Sequence, residues 1–419
     1  LHPDEPTVQL DLLGSAQVIA WQEGKAAFLF ASEGCWSELP HLYARYGTTA
    51  TAPLIDKLKT LEHATSAVVC DSGMQATALA FDVLMEPCDD AQGRPGAHAV
   101  LMRQVYNKTR SYLDWLAARI GGSVTVVDDG DTAALAAAIT PQTRFVFAET
   151  FTNPLVRAQD FDQLRAVMTT ARERVPGIRL VLDTTIASPW AFAVPPLQNG
   201  VDIVVASGTK SLGGNDRDMW GYLATNDSPF ANAVMDLIAM RGGMLDWRRA
   251  AAIVASFDAA GESHARRSSS ATKVAAFLAS HPKISEVFHP SLPTHVDAVA
   301  IATQYLRPGS LLSFRVKDAD EARTRHLADV LATGIIVRYA LSFDGLTTKV
   351  NHHRTVSEYF TALDQLKRNG FDRLIRLAIG MEEADDVIAA LNWMLHHGDR
   401  VTAGEIAAWQ QQRAHALGL

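Results

Sequence analysis

The sequence has 419 residues, 48% of them hydrophobic, enough for sizeable cores in two or more domains. Its 38 basic and 46 acidic side chains leave a net charge of -8, so it carries no electrostatic footprint for nucleic acid. Cys35, Cys70 and Cys88 supply neither a disulfide framework nor a zinc spacing, no apolar run is long enough to span a bilayer, and Leu1-His2-Pro3-Asp4-Glu5 lacks the basic flank and apolar stretch of a signal peptide, which together predict a cytoplasmic globular protein.

Residues 1–50 show no sustained periodicity but hold aromatic and basic groups, ending in Tyr43-Ala44-Arg45-Tyr46-Gly47, and read as an extended arm. From Pro53 the pattern alternates. Strands are predicted over 66–70, 99–102, 123–127, 145–148, 179–182 and 202–206, with helices between them such as 73–84 and 132–139. Such alternation is the signature of an α/β domain with a mainly parallel sheet. After Arg241-Gly242-Gly243 comes a long helical stretch over 250–280, then strands over 310–316, 334–340 and 373–379 and a helix over 382–396, a smaller α+β domain. One more helix is predicted over 403–416. The expected division is an arm (1–50), a large domain (51–245), a small domain (246–398) and a helical tail (399–419). The pairs His352-His353 and His396-His397 face different directions on any regular element and read as surface groups, not metal ligands.

Chemistry concentrates in Ser207-Gly208-Thr209-Lys210-Ser211-Leu212-Gly213-Gly214, which follows the apolar run Ile203-Val204-Val205-Ala206. A P-loop is excluded, because Thr209 stands where its second glycine must be. An amine presented at a strand end can instead hold an aldehyde cofactor as a Schiff base, with the hydroxyls of Ser207 and Thr209 beside it to bond a phosphate. Upstream, Val181-Leu182-Asp183 ends another apolar run with an acid, the partner that a protonated pyridine nitrogen needs. Asp71-Ser72-Gly73-Met74 leads into a helix, so the amides of Gly73 and Met74 point toward an anion at its N-terminus. These features point to pyridoxal 5'-phosphate.

Ser-Gly-Met at 72–74, Thr-Asn-Pro at 152–154, Asp183 and Ser-x-Thr-Lys at 207–210 occur in that order. In this the chain resembles the Cys/Met-metabolism family of pyridoxal-phosphate enzymes, from about residue 43 to 395. The resemblance implies an α/β fold-type I enzyme, with a large domain of mainly parallel sheet between helices and a smaller C-terminal α+β domain. It makes Lys210 the Schiff-base lysine and proton shuttle, Asp183 the partner of the ring nitrogen and Asn153 the partner of the phenolic oxygen. Gly73, Met74, Ser207 and Thr209 would cradle the phosphate, and Tyr106 would stack on the ring and serve as an acid. Tyr43 and Arg45, matching the family's Tyr-x-Arg, would reach the phosphate of a neighbouring subunit, which implies a homodimer as the minimal active unit and a homotetramer built from it. Arg376, within Leu374-Ile375-Arg376-Leu377, matches the arginine that takes the substrate carboxylate, with Ser342 as helper.

Several segments depart from the family pattern. Asn107-Lys108-Thr109 replaces Gly-Gly-Thr after the stacking tyrosine, and Tyr46-Gly47-Thr48-Thr49-Ala50 replaces Arg-x-Gly-Asn-Pro-Thr. Gly213-Gly214-Asn215-Asp216-Arg217-Asp218 stands for Gly-Gly-His-Ser-Asp, and Phe343-Asp344-Gly345-Leu346-Thr347-Thr348 for Leu-Gly-Gly-Val-Glu-Ser. Leu341, just before the helper, favours an apolar substrate side chain. The expected reaction is γ-elimination or γ-replacement on a homoserine-, methionine- or related γ-substituted amino acid, through a vinylglycine-type intermediate. The rival readings are β-elimination from a cysteine-type substrate, a specialised lyase for an unsaturated or halogenated amino acid, an aminotransferase, and a cofactor-binding protein without catalysis.

Overall fold

The computed structural model describes residues 44–86, 96–213, 216–359 and 361–416. They fall into two compact units. The first holds the described residues up to Thr150, then Gln159–Gly213 and Arg217–Ala260; the second holds Phe151–Ala158, Asp216 and the described residues from Gly261 onward.

In the first unit the elements run α1 (Thr51–Glu62), β1 (Ser66–Cys70), α2 (Gly73–Leu84), β2 (His98–Met102), α3 (Asn107–Ile120), β3 (Ser123–Val127), α4 (Thr132–Ala138), β4 (Thr143–Glu149), α5 (Phe161–Arg174), β5 (Arg179–Asp183), β6 (Ile203–Ala206), β7 (Gly221–Thr225) and α6 (Ser228–Arg241). The strands form a seven-stranded sheet in the order β1-β7-β6-β5-β4-β2-β3. Only β7 runs against the others, pairing antiparallel with β1 and β6, while the remaining neighbours are parallel. The carboxyl ends of β1, β2, β4, β5 and β6 therefore share one edge, which is where open α/β sheets collect ligand groups from distant parts of a chain. Both faces of the sheet are covered at this end, where β1, β6 and β7 are buried at every position, and β6 is accordingly a continuous apolar run. On one face Phe81 of α2 stacks on Phe145 and meets Phe147 edge-on, both centroids 5.1 Å away. At the end of α1 the buried carboxyl of Glu62 accepts the Tyr222 hydroxyl of β7.

The 34-residue helix α7 (Trp247–Ser280) crosses the boundary between the units. The second unit continues with β8 (Ile284–Phe288), α8 (Ala298–Gln304), β9 (Leu311–Val316), α9 (Glu321–Thr333), β10 (Arg338–Tyr339), β11 (Lys349–His352), α10 (His353–Val356), α11 (Leu363–Asn369), β12 (Ile375–Ala378), α12 (Ala384–His397) and α13 (Ala403–Ala416). Its five-stranded sheet has the order β10-β11-β12-β9-β8. Alternation divides its faces. Leu312, Phe314, Val350, Ile375 and Leu377 join one apolar core with α7, α9 and α12, and the intervening Ser313, Arg376 and Asn351 stand opposite one another across β9, β12 and β11.

Two expectations need correction. The strand expected over 334–340 shrinks to Arg338–Tyr339, because pairing with β11 starts only at Arg338 and Ile335 lies out in solvent, 83% exposed. His352 and His353 are not surface groups. Both are buried where β11 turns into α10: His352 bonds Thr355 Oγ1 and the Asp372 carbonyl, and His353 lies edge-on to Phe371. No cluster of three or more His, Cys, Asp or Glu suited to a metal occurs among the described residues, and no helix among them is long and apolar enough to cross a membrane.

Candidate active site

Two carboxylates end adjacent strands at the sheet's carboxyl edge. Asp183 closes β5 and Glu149 closes β4, directly opposite in register and both buried. Asp183 Oδ1 accepts from the Thr185 amide at 2.8 Å, and Glu149 accepts from the Tyr106 amide. Burial lifts the Asp183 carboxyl to about 6 despite the opposing Thr185 bonds. Glu149 is raised well above the ordinary carboxylate range, first by burial and then by the charge of Asp183. A cation placed at this pair relieves both. Glu149 goes unremarked in the sequence, although the signal was available: like Asp183, it is an acid that closes an apolar strand.

The turns after β1 and β6 touch. Ser72 caps α2 by accepting from the Gln75 amide, and a Cβ on Gly73 would lie 2.6 Å from Ser207 Cβ and 2.8 Å from Ser207 Cα. Glycine is required there by close approach, and the first amides of α2 are left facing outward, as at any helix N-terminus. The Ser207 amide donates to Thr185 Oγ1 at 2.9 Å, which ties the lysine loop to the turn after Asp183. Lys210 is partly buried and its amide donates to the Ser207 carbonyl at 3.2 Å.

Trp220 supports this loop from below. A Cβ on Gly208 would come within 2.2 Å of the indole, which is wholly buried. Thr209 Oγ1 donates to the Trp220 carbonyl at 3.1 Å and accepts from the Trp220 amide at 2.9 Å. These two bonds stitch the loop to the start of β7. Tyr106 occupies the position just before α3 with its side chain 46% exposed, so Asn107 and Lys108 form that helix's first residues. Met74 sulfur lies 3.9 Å from the Thr109 hydroxyl. Arg45 stands over the Tyr46 ring at 5.9 Å, and Tyr43 lies outside the described residues.

In the second unit Arg376 is 3% exposed, and burial lowers its pKa to about 10. Its Nη1 donates to Asn153 Oδ1 at 3.2 Å, its Nη2 donates to the carbonyls of Leu341 and Ser342 at 3.3 Å each, and its guanidinium lies 5.5 Å from the Phe343 ring centroid. Asn153 therefore turns its oxygen to the arginine, which leaves its NH2 as the end that can donate to a ligand. Ser342 meets Arg376 through its carbonyl, not its hydroxyl, which donates to the Phe343 carbonyl at 3.4 Å.

The family model of the Cys/Met metabolism PLP-dependent enzymes matches residues 25–396. The chain belongs to this family. It is a pyridoxal-phosphate-dependent enzyme. Cystathionine gamma-synthase of Mycobacterium tuberculosis is 31% identical over 362 residues, covering 84% of this chain and 86% of the relative. L-methionine gamma-lyase of Fusobacterium nucleatum subsp. polymorphum is 28% identical over 391 residues, covering 91% and 93%. Among solved structures, metB from Corynebacterium glutamicum superposes with a TM-score of 0.77 at 27% identity, over 85% of this chain and 87% of that one. The residues present fit the cofactor on physical grounds: the buried Asp183–Glu149 pair calls for a cation, and the glycine-enforced contact of the 73 and 207 turns forms an amide-lined edge suited to a phosphate.

Proposed function

We propose that this enzyme catalyses γ-elimination or γ-replacement on a homoserine-, methionine- or related γ-substituted amino acid. Arg376 carries the reading of the substrate as an amino acid. A dehydrated guanidinium oriented by Asn153 and two carbonyls keeps its charge and its remaining N–H protons for a small carboxylate. The γ-position is favoured because both a γ-synthase and a γ-lyase align over most of the chain, 84% and 91%. Leu341, 77% exposed beside Ser342, supports a substrate side chain without a distal charge.

Pyridoxal phosphate, when bound, supplies an electron sink conjugated to the substrate's α-carbon. Lys210 Nζ would carry the cofactor at rest and, once freed, would take a proton from the α-carbon, give that proton up to the conjugated system, and only then, as a neutral amine again, take one from the β-carbon for γ-chemistry before the γ-substituent leaves. Asp183 would stay ionised beside a protonated ring nitrogen, because that cation would offset the burial that otherwise raises its pKa. The Asn153 NH2 would be the donor for the cofactor's phenolic oxygen. Gly73, Met74, Ser207 and Thr209 would hold the phosphate, Thr209 also tying the lysine loop to Trp220, and Tyr106 would stack on the ring and give a proton to the departing group. Tyr43 and Arg45 would serve the phosphate of a neighbouring subunit, which would make a homodimer the working unit.

The test supplies purified holoenzyme separately with methionine, with an O-acylhomoserine in the presence and absence of cysteine, and with an S-alkylcysteine. Expected products are 2-oxobutanoate with ammonia and the released group, or a thioether when cysteine is present. Pyruvate from the S-alkylcysteine alone, or transfer of the amino group to a keto acid, would overturn the reading.

A further inference from the structure

Asp216, within the departure from the family pattern at 213–218, meets the departure at 343–348. Asp216 adopts a left-handed backbone, with φ 59°, and its carboxylate occupies the space above Gly345. A Cβ on Gly345, itself at φ 100°, would lie 2.1–2.3 Å from the carboxylate atoms. The same carboxylate accepts from Lys349 Nζ at 2.8 and 2.9 Å and from the Leu346 amide at 3.2 Å. Lys349 Nζ also donates to the Asp344 carbonyl, and the buried Asp344 carboxylate takes the wholly buried Arg267 at 3.2 Å and the Ser310 hydroxyl. Residues 341–346 are therefore gathered on three sides. Their near end carries the Leu341 and Ser342 carbonyls and the Phe343 ring that surround Arg376.

We propose that Asp216 is a positioning residue for substrate-carboxylate binding: by clamping Lys349, Gly345 and the Leu346 amide, it fixes the shelf of carbonyls that aims the Arg376 guanidinium. This rests on the reading of Arg376 as the carboxylate group. The Asp216 side chain is 43% exposed and that of Lys349 10%, so the ion pair adds little to global stability. Its removal acts locally. Without the carboxylate, the Lys349 ammonium keeps only the Asp344 carbonyl and is drawn toward water, which pulls on 344–346 and releases the carbonyls at 341 and 342. Charge alone does not account for the arrangement, because the left-handed Asp216 and the side-chain-free Gly345 are both needed to seat the carboxylate.

The test titrates holoenzyme with L-norleucine, an amino acid without a γ leaving group, and with pentylamine, the same skeleton without the carboxylate. Both are followed through the cofactor's absorption, and the ratio of the two affinities isolates the carboxylate's contribution. Asp216→Ala should lower that ratio by about tenfold, the value of one charge-assisted hydrogen bond, while pentylamine affinity, the resting absorption and the melting temperature stay near those of the parent. Asp216→Glu should restore part of it. A ratio unchanged in Asp216→Ala, or Asp216→Glu no better than Asp216→Ala, overturns the proposal. Should Asp216→Ala fold poorly, Asp216→Asn, which keeps the side chain's shape and an acceptor for Leu346, is judged by the same ratio. Arg376→Ala must collapse the ratio in any case. If it does not, the reading of Arg376 fails, independently of Asp216.

Discussion

The two units assemble their functional groups by different routes. In the first, parallel strands deliver short motifs to one edge, so each group follows its strand at once: Asp183 ends β5, Gly73 opens α2 after β1, and Lys210 follows β6. In the second, Arg376 is set by cross-strand neighbours and by carbonyls from 341 and 342, remote in sequence. Motif-built edges tolerate little change at single residues, whereas a shelf built by remote contacts can be retuned from outside the site.

Lys210→Ala should separate these regimes most sharply. Its turnover should fall by at least about 10³-fold, as expected when an acid–base group is lost, with the fold and the affinity for carboxylates kept; a keto-acid assay beside norleucine binding checks both. Arg376→Lys keeps the charge but not the planar fork, and should cost about 10- to 100-fold in kcat/KM, mainly through KM, read from initial rates over a range of substrate concentrations. Glu62 tests the first unit away from its edge. Its folded pKa is raised from 4.5 to about 7 by burial, so the folded chain holds a proton that the unfolded chain gives up; its contribution is complete below pH 4.5 and is lost as the pH rises to about 7. Glu62→Gln can still accept from Tyr222 and cannot ionise, so its stability relative to the parent should grow across that window by up to about 3 kcal/mol, visible in unfolding curves taken at several pH values. The smallest effect is expected of Gly73→Ala, whose methyl meets Ser207 and should cost about 1–2 kcal/mol together with weaker retention of the cofactor on dialysis.

Much of the first unit could be read from the sequence. The predicted bounds of β1, β3 and α2 agree with the structure, as do those of α13 in the second unit. There an apolar run or an Ala-rich helix speaks for itself. Strand β7, Gly-Tyr-Leu-Ala-Thr, passes unnoticed because a glycine, a tyrosine and a threonine interrupt its apolar character, and only its place between β1 and β6 buries it. Strands β8 and β11 are missed for a related reason. Ser285 and Glu286 lie exposed on an edge strand, and Asn351 belongs to the polar row beside Arg376, so neither strand reads as a run. At the proposed site, the residue types nominate Lys210, Asp183 and Arg376. Which atom of Thr209, Asn153 or Ser342 does the work depends on partners such as Trp220 and Arg376 that no local pattern reveals.

The seating of Gly208 on Trp220 bears on how this enzyme could be re-engineered. A relative's lysine loop with any larger residue at 208 cannot be grafted in one step, since the new side chain and the indole would claim the same volume. A smaller residue at 220 alone leaves a void beneath the reactive lysine. Both single changes are penalised while the joint exchange is permitted, so libraries that vary one position at a time will report this loop as immutable, and only paired variation of 208 and 220 will find the way through.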